Sequence, residues 1–420
     1  DTMFRQSGLF RDNQEVEDQV LDSMDLERER GITIAAKNCS VAFKGTKINI
    51  LDTPGHADFG GEVERALSMV DGAILLVDAS EGPLPQTRFV LKKCLENRHR
   101  VIVVINKIDR KDARPQEVLS EIYDLFIELG ASDEQLEFPL LYAIGRDGVA
   151  MRELDDPQVD LTPLFETIIT EIHAPSYKEG EPFQMLVSDL GYSEFLGRLA
   201  IGKVFHGRAA SGERLVCMGD GGKAKPLRVT RLQTYEGIRL GDSAYAEPGD
   251  IVVLSGIEDV HIGDTITVAE GGKALPRITV DDPTVSMKVT INTSPLAGRE
   301  GKQLTSSKLR ERLIRESLSN VAIRVEEAEG RDSFLVKGRG EFQMAILIET
   351  MRREGFELCV GRPEVICKYD AQNRRLEPVE RFYVDCGDEF VGTVTEKLAQ
   401  RKGRLTNLVN HGNGRVRMEF

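Results

Sequence analysis

The sequence contains no long uninterrupted apolar segment. None of its runs approaches the roughly 18–20 apolar residues that a membrane-spanning helix needs, and no signal-peptide pattern is present. Hydrophobic residues make up 40% and charged residues 30% of the chain, which is typical of a globular protein. We therefore expect a cytoplasmic protein with no membrane partner, and a length that suits about three domains.

Closely spaced cysteines are also missing. The six cysteines are scattered, with no C-x-x-C pair and no pairing with histidine. This pattern argues against a structural metal site and against a disulfide framework, and it favours isolated thiols in a reducing compartment. They are Cys39, Cys94, Cys217, Cys359, Cys367 and Cys386.

The chain has no overall excess of positive charge, since its formal net charge is −14. The acidic excess is uneven: residues 1–280 carry 31 basic and 47 acidic side chains, whereas residues 281–420 carry 24 and 22. Local patches rather than total charge decide contacts with nucleic acid. The acidic total therefore does not exclude an RNA partner for the C-terminal third.

The most informative segment is an apolar strand, residues 48–51, that ends at Asp52, Gly55 and His56. Ligands bind at the C-terminal edge of strands in open α/β sheets. A turn there would present a carboxylate, a flexible amide and an imidazole. In a GTP-dependent switch these groups hold the hydration shell of a metal, sense the terminal phosphate and orient the attacking water. The same pattern also occurs as an ordinary turn.

A second apolar strand, residues 101–105, ends at Asn106, Lys107 and Asp109. This spacing is the guanine-reading signature of GTPases. Asp109 can accept hydrogen bonds from N1–H and the exocyclic amino group of guanine, a pair that adenine does not offer. Asn106 would brace the loop, and Lys107 would lie along the base and ribose. The alternative is a polar turn after a buried strand.

A charged segment lies upstream of both motifs and ends in Gly31, Ile32 and Thr33. It fits a loop that becomes ordered around a ligand, with the Thr33 hydroxyl on Mg²⁺ and its amide near the γ-phosphate. Such a charge run on its own is most often a solvated helix face or loop. Its position ahead of Asp52 and Asn106 in the chain is what favours the interpretation as a loop ordered by a ligand.

In this order the three motifs resemble those of translational GTPases. The match is closest in residues 25–34 and 52–65, and the most similar family is BipA, also called TypA, a family of ribosome-associated GTPases. Similarity extends over essentially the whole chain, including residues 338–341 and 351–358. The resemblance implies GTP and GDP as ligands, Mg²⁺ as cofactor, and the ribosome, both rRNA and ribosomal proteins, as partner. It also implies a monomer that does not act on DNA.

The same resemblance assigns roles to individual residues. His56 positions the hydrolytic water when the ribosome engages. Thr33 and Asp52 serve the Mg²⁺ ion, Asp52 through a water molecule.

Two features depart from the family pattern. No Gly-x-x-x-x-Gly-Lys-Ser/Thr phosphate loop occurs in these residues. We therefore expect a fragment whose parent chain carries that loop, a GTPase that naturally lacks it being the alternative. In addition, residues 142–145 read Tyr-Ala-Ile-Gly where the family usually places Ser-Ala. Only a backbone contact to guanine carries over, at Gly145.

Apolar side chains recur at helical spacing in residues 116–129, frequent glycines separate short strands in residues 183–268, and apolar residues alternate in residues 285–291. These patterns predict a multidomain protein of α/β, all-β and α+β parts. We expect a P-loop-type GTPase domain without its first strand and phosphate loop, a translation-factor β-barrel, a ferredoxin-like βαββαβ domain and a partial second ferredoxin-like domain. The corresponding residues are 1–175, 183–278, 282–368 and 376–420.

A short basic cluster, Arg401, Lys402 and Arg404, could meet rRNA phosphates. It could equally be a solvated helix end that compensates the helix dipole. Three functional interpretations stay open: a ribosome-triggered GTPase, a non-hydrolysing ribosome-binding scaffold, and another translational GTPase with the same first three domains.

Overall fold

A computed structural model gives the fold of the chain. It describes residues 1–8, 21, 24–193, 195–219, 224–257, 259–278, 282–320, 322–330, 332–410 and 414–420. Within these ranges no helix combines the length and the apolar character that crossing a membrane requires.

The first unit is an α/β fold. In chain order its elements are α1 (Thr2–Gln6), α2 (Asp25–Arg30), β1 (Lys37–Phe43), β2 (Thr46–Asp52), a 3₁₀ turn (Ala57–Phe59), α3 (Gly60–Leu67), β3 (Gly72–Asp78), α4 (Pro85–Glu96), β4 (Arg100–Asn106), α5 (Pro115–Glu128), α6 (Asp133–Leu136), β5 (Leu140–Ile144), β6 (Val149–Met151) and α7 (Thr162–Glu171). One sheet has the order β3-β4-β5-β6, with the first three strands parallel. The apolar side of α5 is buried against this sheet, as its helical spacing predicts.

Strand β2 differs from the expectation of a buried strand within the parallel sheet. Among the described residues it pairs only with β1, antiparallel, and its residues from Ile48 onward are half-buried. Ile48 and Ile50 pack on a cluster that includes Ile102 and Val104 of β4. The backbone ladder of β2 is formed with β1. The hairpin of β1 and β2 therefore contacts the parallel sheet through side-chain packing.

The second unit is the antiparallel β-structure that the frequent glycines predict. Its strands are β7 (Gln184–Ser193), β8 (Gly197–His206), β9 (Ala209–Ala210), β10 (Arg214–Met218), β11 (Ala224–Arg228), β12 (Arg231–Glu236), β13 (Arg239–Asp242), β14 (Tyr245–Ala246), β15 (Ile251–Ser255) and β16 (Thr265–Thr267). Eight of them form one sheet in the order β11-β10-β16-β7-β8-β15-β12-β13, around a single apolar core. Position 202 requires a glycine, because a Cβ there would lie 1.9 Å from the carbonyl oxygen of Leu186.

The third unit has the ferredoxin-like order β18-β19-β17-β20. Its elements are β17 (Val285–Ile291), α8 (Ser306–Ser319), β18 (Arg324–Glu327), β19 (Ser333–Gly338), α9 (Glu341–Arg353), β20 (Leu358–Val360) and β21 (Glu364–Val365). Helix α9 is followed by Gly355 at φ +88°, where a C-terminal glycine is expected. The N-cap of α8 is Thr305.

The last unit begins like a second ferredoxin-like fold. A small hairpin precedes a three-stranded antiparallel sheet of order β24-β26-β25 that carries one helix. The elements are β22 (Lys368–Tyr369), β23 (Arg375–Leu376), β24 (Tyr383–Gly387), a 3₁₀ turn (Asp388–Phe390), α10 (Val391–Gln400), β25 (Asn407–Asn410) and β26 (Arg415–Glu419).

Candidate nucleotide site

The residues predicted to read guanine follow strands at the carboxyl edge of the parallel sheet. The register places Asp78, Asn106 and Ala143 side by side at the ends of β3, β4 and β5. The Asn106 side chain Oδ1 accepts a hydrogen bond of 2.9 Å from the backbone N–H of Gly145. Asn106 thus braces the neighbouring loop. The Gly145 N–H is engaged in this bond, so a contact of that amide with a base would require the bond to exchange.

Lys107 is held by a carboxylate that the sequence analysis did not single out. Its Nζ lies 2.9 Å from Oδ2 of Asp78, and Nη1 of Arg110 lies 3.2 Å from the same oxygen. Burial alone would raise the pKa of Asp78, but hydrogen bonds from Lys107, Ser80 and the Glu81 amide hold it well below its usual range. Lys107 itself adopts φ +62°. The signal was present in the sequence, because Asp78 also ends an apolar strand.

Asp109 carries a half-exposed carboxylate at this edge. Nη2 of Arg146, whose side chain is 80% exposed, lies 3.4 Å from Oδ2 of Asp109. An exposed ion pair of this length is weak, so a ligand that offers two donors can replace it. Arg146 directly follows Gly145, and this places a cation beside the residue proposed to read guanine.

The turn after β2 is open on one side and packed on the other. Gly55 is exposed, and a Cβ there would meet no atom within 4 Å. Nδ1 of His56 accepts a hydrogen bond of 3.2 Å from the backbone N–H of Asp58. The imidazole contacts two phenylalanine rings, with centroid distances of 5.9 Å to Phe59 and 4.7 Å to Phe342, and those two rings lie 5.8 Å from each other.

The segment that contains Thr33 is organised around Glu27, which is fully buried. Its Oε1 accepts from the backbone N–H groups of Ile34 and Ala35 at 3.0 and 3.3 Å, and its Oε2 pairs with Lys37 at 2.5 Å. Burial would raise the pKa of Glu27, yet these hydrogen bonds lower it below the ordinary value. The buried carboxylate therefore fixes the backbone that follows Thr33, and the backbone carbonyl of Glu27 accepts from the Ile32 N–H at 3.3 Å on the other side.

The Thr33 segment and the His56 turn meet in one apolar cluster. Leu26, Ile34 and Phe59 pack with Ile346 of α9, and Ile32 and Phe342 border them. The cluster is the observation that brings the two predicted phosphate-side segments together. It also shows that the ferredoxin-like unit takes part in their contact, for which the sequence offered no spacing signal.

Two further contacts join α9 to the first unit, the α/β fold that we call the GTPase unit. Oδ2 of Asp58 accepts from the backbone N–H groups of Phe342 and Gln343 at 2.9 and 3.2 Å, so a residue of one unit caps a helix of another. Arg353, in the last turn of the same helix, forms two hydrogen bonds with Glu29 at 2.9 and 2.6 Å.

The β-barrel is fastened to α3 by a buried ion cluster. Arg65, 5% exposed, contacts Glu62 on its own helix and Oδ1 of Asp189 in β7 at 3.0 Å. Burial raises the pKa of both carboxyl groups, although Arg65 acts in the opposite direction. Helix α3, which follows His56, thus also contacts the β-barrel.

The basic cluster lies at the end of α10. Arg401, Lys402 and Arg404 are exposed, and the backbone closes in a helix-ending turn with Lys402 at φ +66°. Backbone N–H groups of Lys402 and Gly403 donate to Ala399 and Leu398. The geometry agrees with an ordinary helix end and leaves the three cations available to solvent.

Comparisons with known proteins agree with this architecture. Residues 1–174 match the family described as the elongation factor Tu GTP binding domain, residues 197–267 match elongation factor Tu domain 2, and residues 374–420 match the elongation factor G C-terminus. A crystal structure of a Thermus thermophilus protein aligns with the whole chain and 89% of its own at a TM-score of 0.68 and 17% identity, a likeness of fold. The fold and the site define a GTPase of the translation-factor class.

Full-length similarity identifies the family. The chain is 48% identical over 420 residues to a Bacillus subtilis protein named large ribosomal subunit assembly factor BipA, 47% to the Synechocystis protein of that name and 45% to that of Salmonella typhimurium. The alignments cover all of this chain and 68%, 70% and 69% of those proteins. The chain belongs to the BipA family, as the resemblance of its motifs predicts.

Proposed function

We propose that the protein is a GTP-hydrolysing switch that acts on the large ribosomal subunit. The observation that carries this proposal is that two groups of predicted site residues are each assembled in the GTPase unit. Asn106, Lys107 and Asp109 stand at the end of β4, and the Thr33 segment packs against the His56 turn. The names of the BipA relatives supply the ribosomal partner.

In the proposed site Asp109 accepts both guanine donors, while Asn106 and Lys107 hold the loop around the base. Gly145 contributes only backbone, and its bond to Asn106 positions that backbone. Discrimination against adenine follows because an adenine base would leave the carboxylate of Asp109 without its donors.

Mg²⁺ would be held by the hydroxyl of Thr33 and, through water, by Asp52. The described residues contain no cluster of three or more His, Cys, Asp and Glu side chains that could hold a metal ion. One oxygen ligand from Thr33 and one water-mediated contact from Asp52 fit Mg²⁺, which is commonly bound by one or two protein oxygens together with substrate phosphates and water. When bound, the ion would neutralise charge that develops on the phosphate oxygens.

His56 would orient the water that attacks the γ-phosphate, giving GDP and inorganic phosphate. Its Nδ1 accepts from the Asp58 amide, so a neutral ring carries its hydrogen on Nε2. That atom can donate to a water oxygen but cannot take its proton. We therefore assign His56 to orientation of the water, with the ribosome supplying the remaining stabilisation of the transition state.

The test is GTP hydrolysis by the full product of the gene, with and without purified large ribosomal subunits. We expect slow turnover alone and stimulation of roughly 10³–10⁵-fold, the range that trans-acting activators give other GTPases. His56→Ala should remove the stimulation while nucleotide affinity stays unchanged. Equal rates with and without ribosomal subunits would contradict the proposal, and small subunits serve as the control partner.

Arg401, Lys402 and Arg404 are proposed as a contact to rRNA phosphates. Their exposure at the end of α10 supports this. Replacing all three by glutamine should weaken co-sedimentation with large subunits and reduce its salt dependence, and an unchanged salt dependence would assign the cluster to the helix end alone.

A further inference from the structure

The imidazole of His56 is contacted by a residue from a different folding unit. Its ring centroid lies 4.7 Å from that of Phe342, with an angle of 41° between the ring planes. Phe342 follows the first residue of α9, 286 positions along the chain from His56. The Phe59 ring lies 5.9 Å from the imidazole at 62° and 5.8 Å from the Phe342 ring, so the three rings form one aromatic cluster. Aromatic contacts at these distances favour defined ring orientations.

Phe342 is itself held in place from the GTPase unit. The Asp58 carboxylate accepts the Phe342 N–H at 2.9 Å. Gly340 allows this approach, because a Cβ there would lie 2.1 Å from Oδ2 of Asp58. The guanidinium of Arg30 lies 5.3 Å from the Phe342 ring centroid. Arg30, from the segment before Thr33, and Asp58, from the turn after His56, thus both contact Phe342.

We propose that Phe342 is a positioning residue for His56. The ring restricts the imidazole to the orientation in which Nδ1 accepts from Asp58 and Nε2 is left for the water. The rate of hydrolysis then depends on the seating of the ferredoxin-like unit against the His56 turn. This inference rests on the proposed role of His56 in hydrolysis.

The experiment compares Phe342→Ala, Phe342→Tyr and Ile346→Ala in the full product of the gene, with large ribosomal subunits present. Phe342→Ala should lower kcat about 10-fold with KM for GTP unchanged, because small displacements of a catalytic group are costly in rate. Phe342→Tyr keeps the ring and should restore kcat to within about two-fold of the parent protein. Ile346→Ala removes an apolar contact of the same helix in the same interface, and should lower kcat less than Phe342→Ala does.

A double-mutant cycle shows whether Phe342 acts through His56. In the His56→Ala background, Phe342→Ala should cause no further loss of kcat. Histidine-selective NMR gives a readout that does not depend on activity. Few signals need to be assigned, because residues 1–420 include only six histidines. The ring protons of His56, assigned with His56→Ala, should lose their ring-current shift in Phe342→Ala and keep it in Ile346→Ala.

Two failures are distinguishable. If His56→Ala hydrolyses GTP like the parent protein, the proposed function of His56 fails. If His56→Ala is inactive while Phe342→Ala keeps full kcat, or loses no more than Ile346→Ala, the positioning role of Phe342 is overturned and the proposed function stands.

Discussion

The side chain of Asp58 caps a helix that begins 283 residues later in the chain. Its Oδ2 lies 2.9 Å from the backbone nitrogen of Phe342, and its Oδ1 lies 3.7 Å from Nδ1 of His56. One carboxylate therefore joins the candidate catalytic turn to the start of α9. Movement of either partner must be transmitted to the other or must break these contacts.

The first prediction concerns this cap. Asp58→Ala should lower the stability of α9 by about 1 kcal/mol, the usual effect of removing an N-cap side chain. Hydrogen exchange of the Phe342 and Gln343 amides should become faster, whereas the amides of β19 should keep their protection. Unchanged exchange at the two capped amides would show that the contact does not persist in solution.

The second prediction concerns the buried carboxylate of Glu27. Glu27→Ala deprives Ile34, Ala35 and Lys37 of a charged acceptor, so the free energy of unfolding should fall by about 3 kcal/mol at neutral pH. Because the folded-state pKa is lowered, the stabilisation is complete above the ordinary value of 4.5 and is lost as the pH falls through the folded value.

Denaturant titrations of parent and Glu27→Ala proteins across pH 3–7 check this. The difference between them should shrink toward acid pH. A difference that does not vary with pH would mean that Glu27 stabilises the loop by packing alone. Asp25, an exposed residue of the same helix, provides the control substitution.

The third prediction concerns Arg65 at the junction with the barrel. Arg65→Ala leaves Glu62 and Asp189 buried without their shared cation, and should destabilise the protein by about 3–5 kcal/mol at neutral pH. Burial raises the pKa of both carboxyls, so protonation at lower pH should neutralise them and reduce the loss. Arg310→Ala, which removes an exposed ion pair with Glu327, should have little effect at either pH. A loss in Arg65→Ala that grows toward acid pH would contradict this account.

The fourth prediction concerns base recognition. Asp109→Asn should weaken GTP binding by at least about 100-fold, because the amide offers a donor where the guanine amino group needs an acceptor. Xanthosine triphosphate carries an oxygen at that position, so its affinity should rise. Fluorescent-nucleotide titration measures both. Arg146→Ala, which removes only the exposed partner of Asp109, should change the affinity for GTP far less. Equal GTP affinity in Asp109→Asn and the parent would assign the base contact elsewhere.

Much of the architecture could be predicted from local sequence. Periodicity located α5, alternation located β17, and the apolar run before Asn106 located β4, since each pattern reflects which face of an element is buried. The family also followed from short motifs, because residues 25–34 and 52–65 are distinctive in themselves. Less predictable was β2, whose apolar residues indicated a buried strand but not which strand would accept its hydrogen bonds.

The sequence by itself determined which side chains are candidates for the chemistry: a carboxylate and an amide proposed for guanine, a threonine and an aspartate proposed for a metal ion, and an imidazole after a glycine. Only the tertiary structure decided which residues from distant parts of the chain contact one another. Asp58 and Phe342, Glu29 and Arg353, and Arg65 and Asp189 each lie more than a hundred residues apart. No local pattern encodes such pairs, because their proximity follows from how separately folded units pack together.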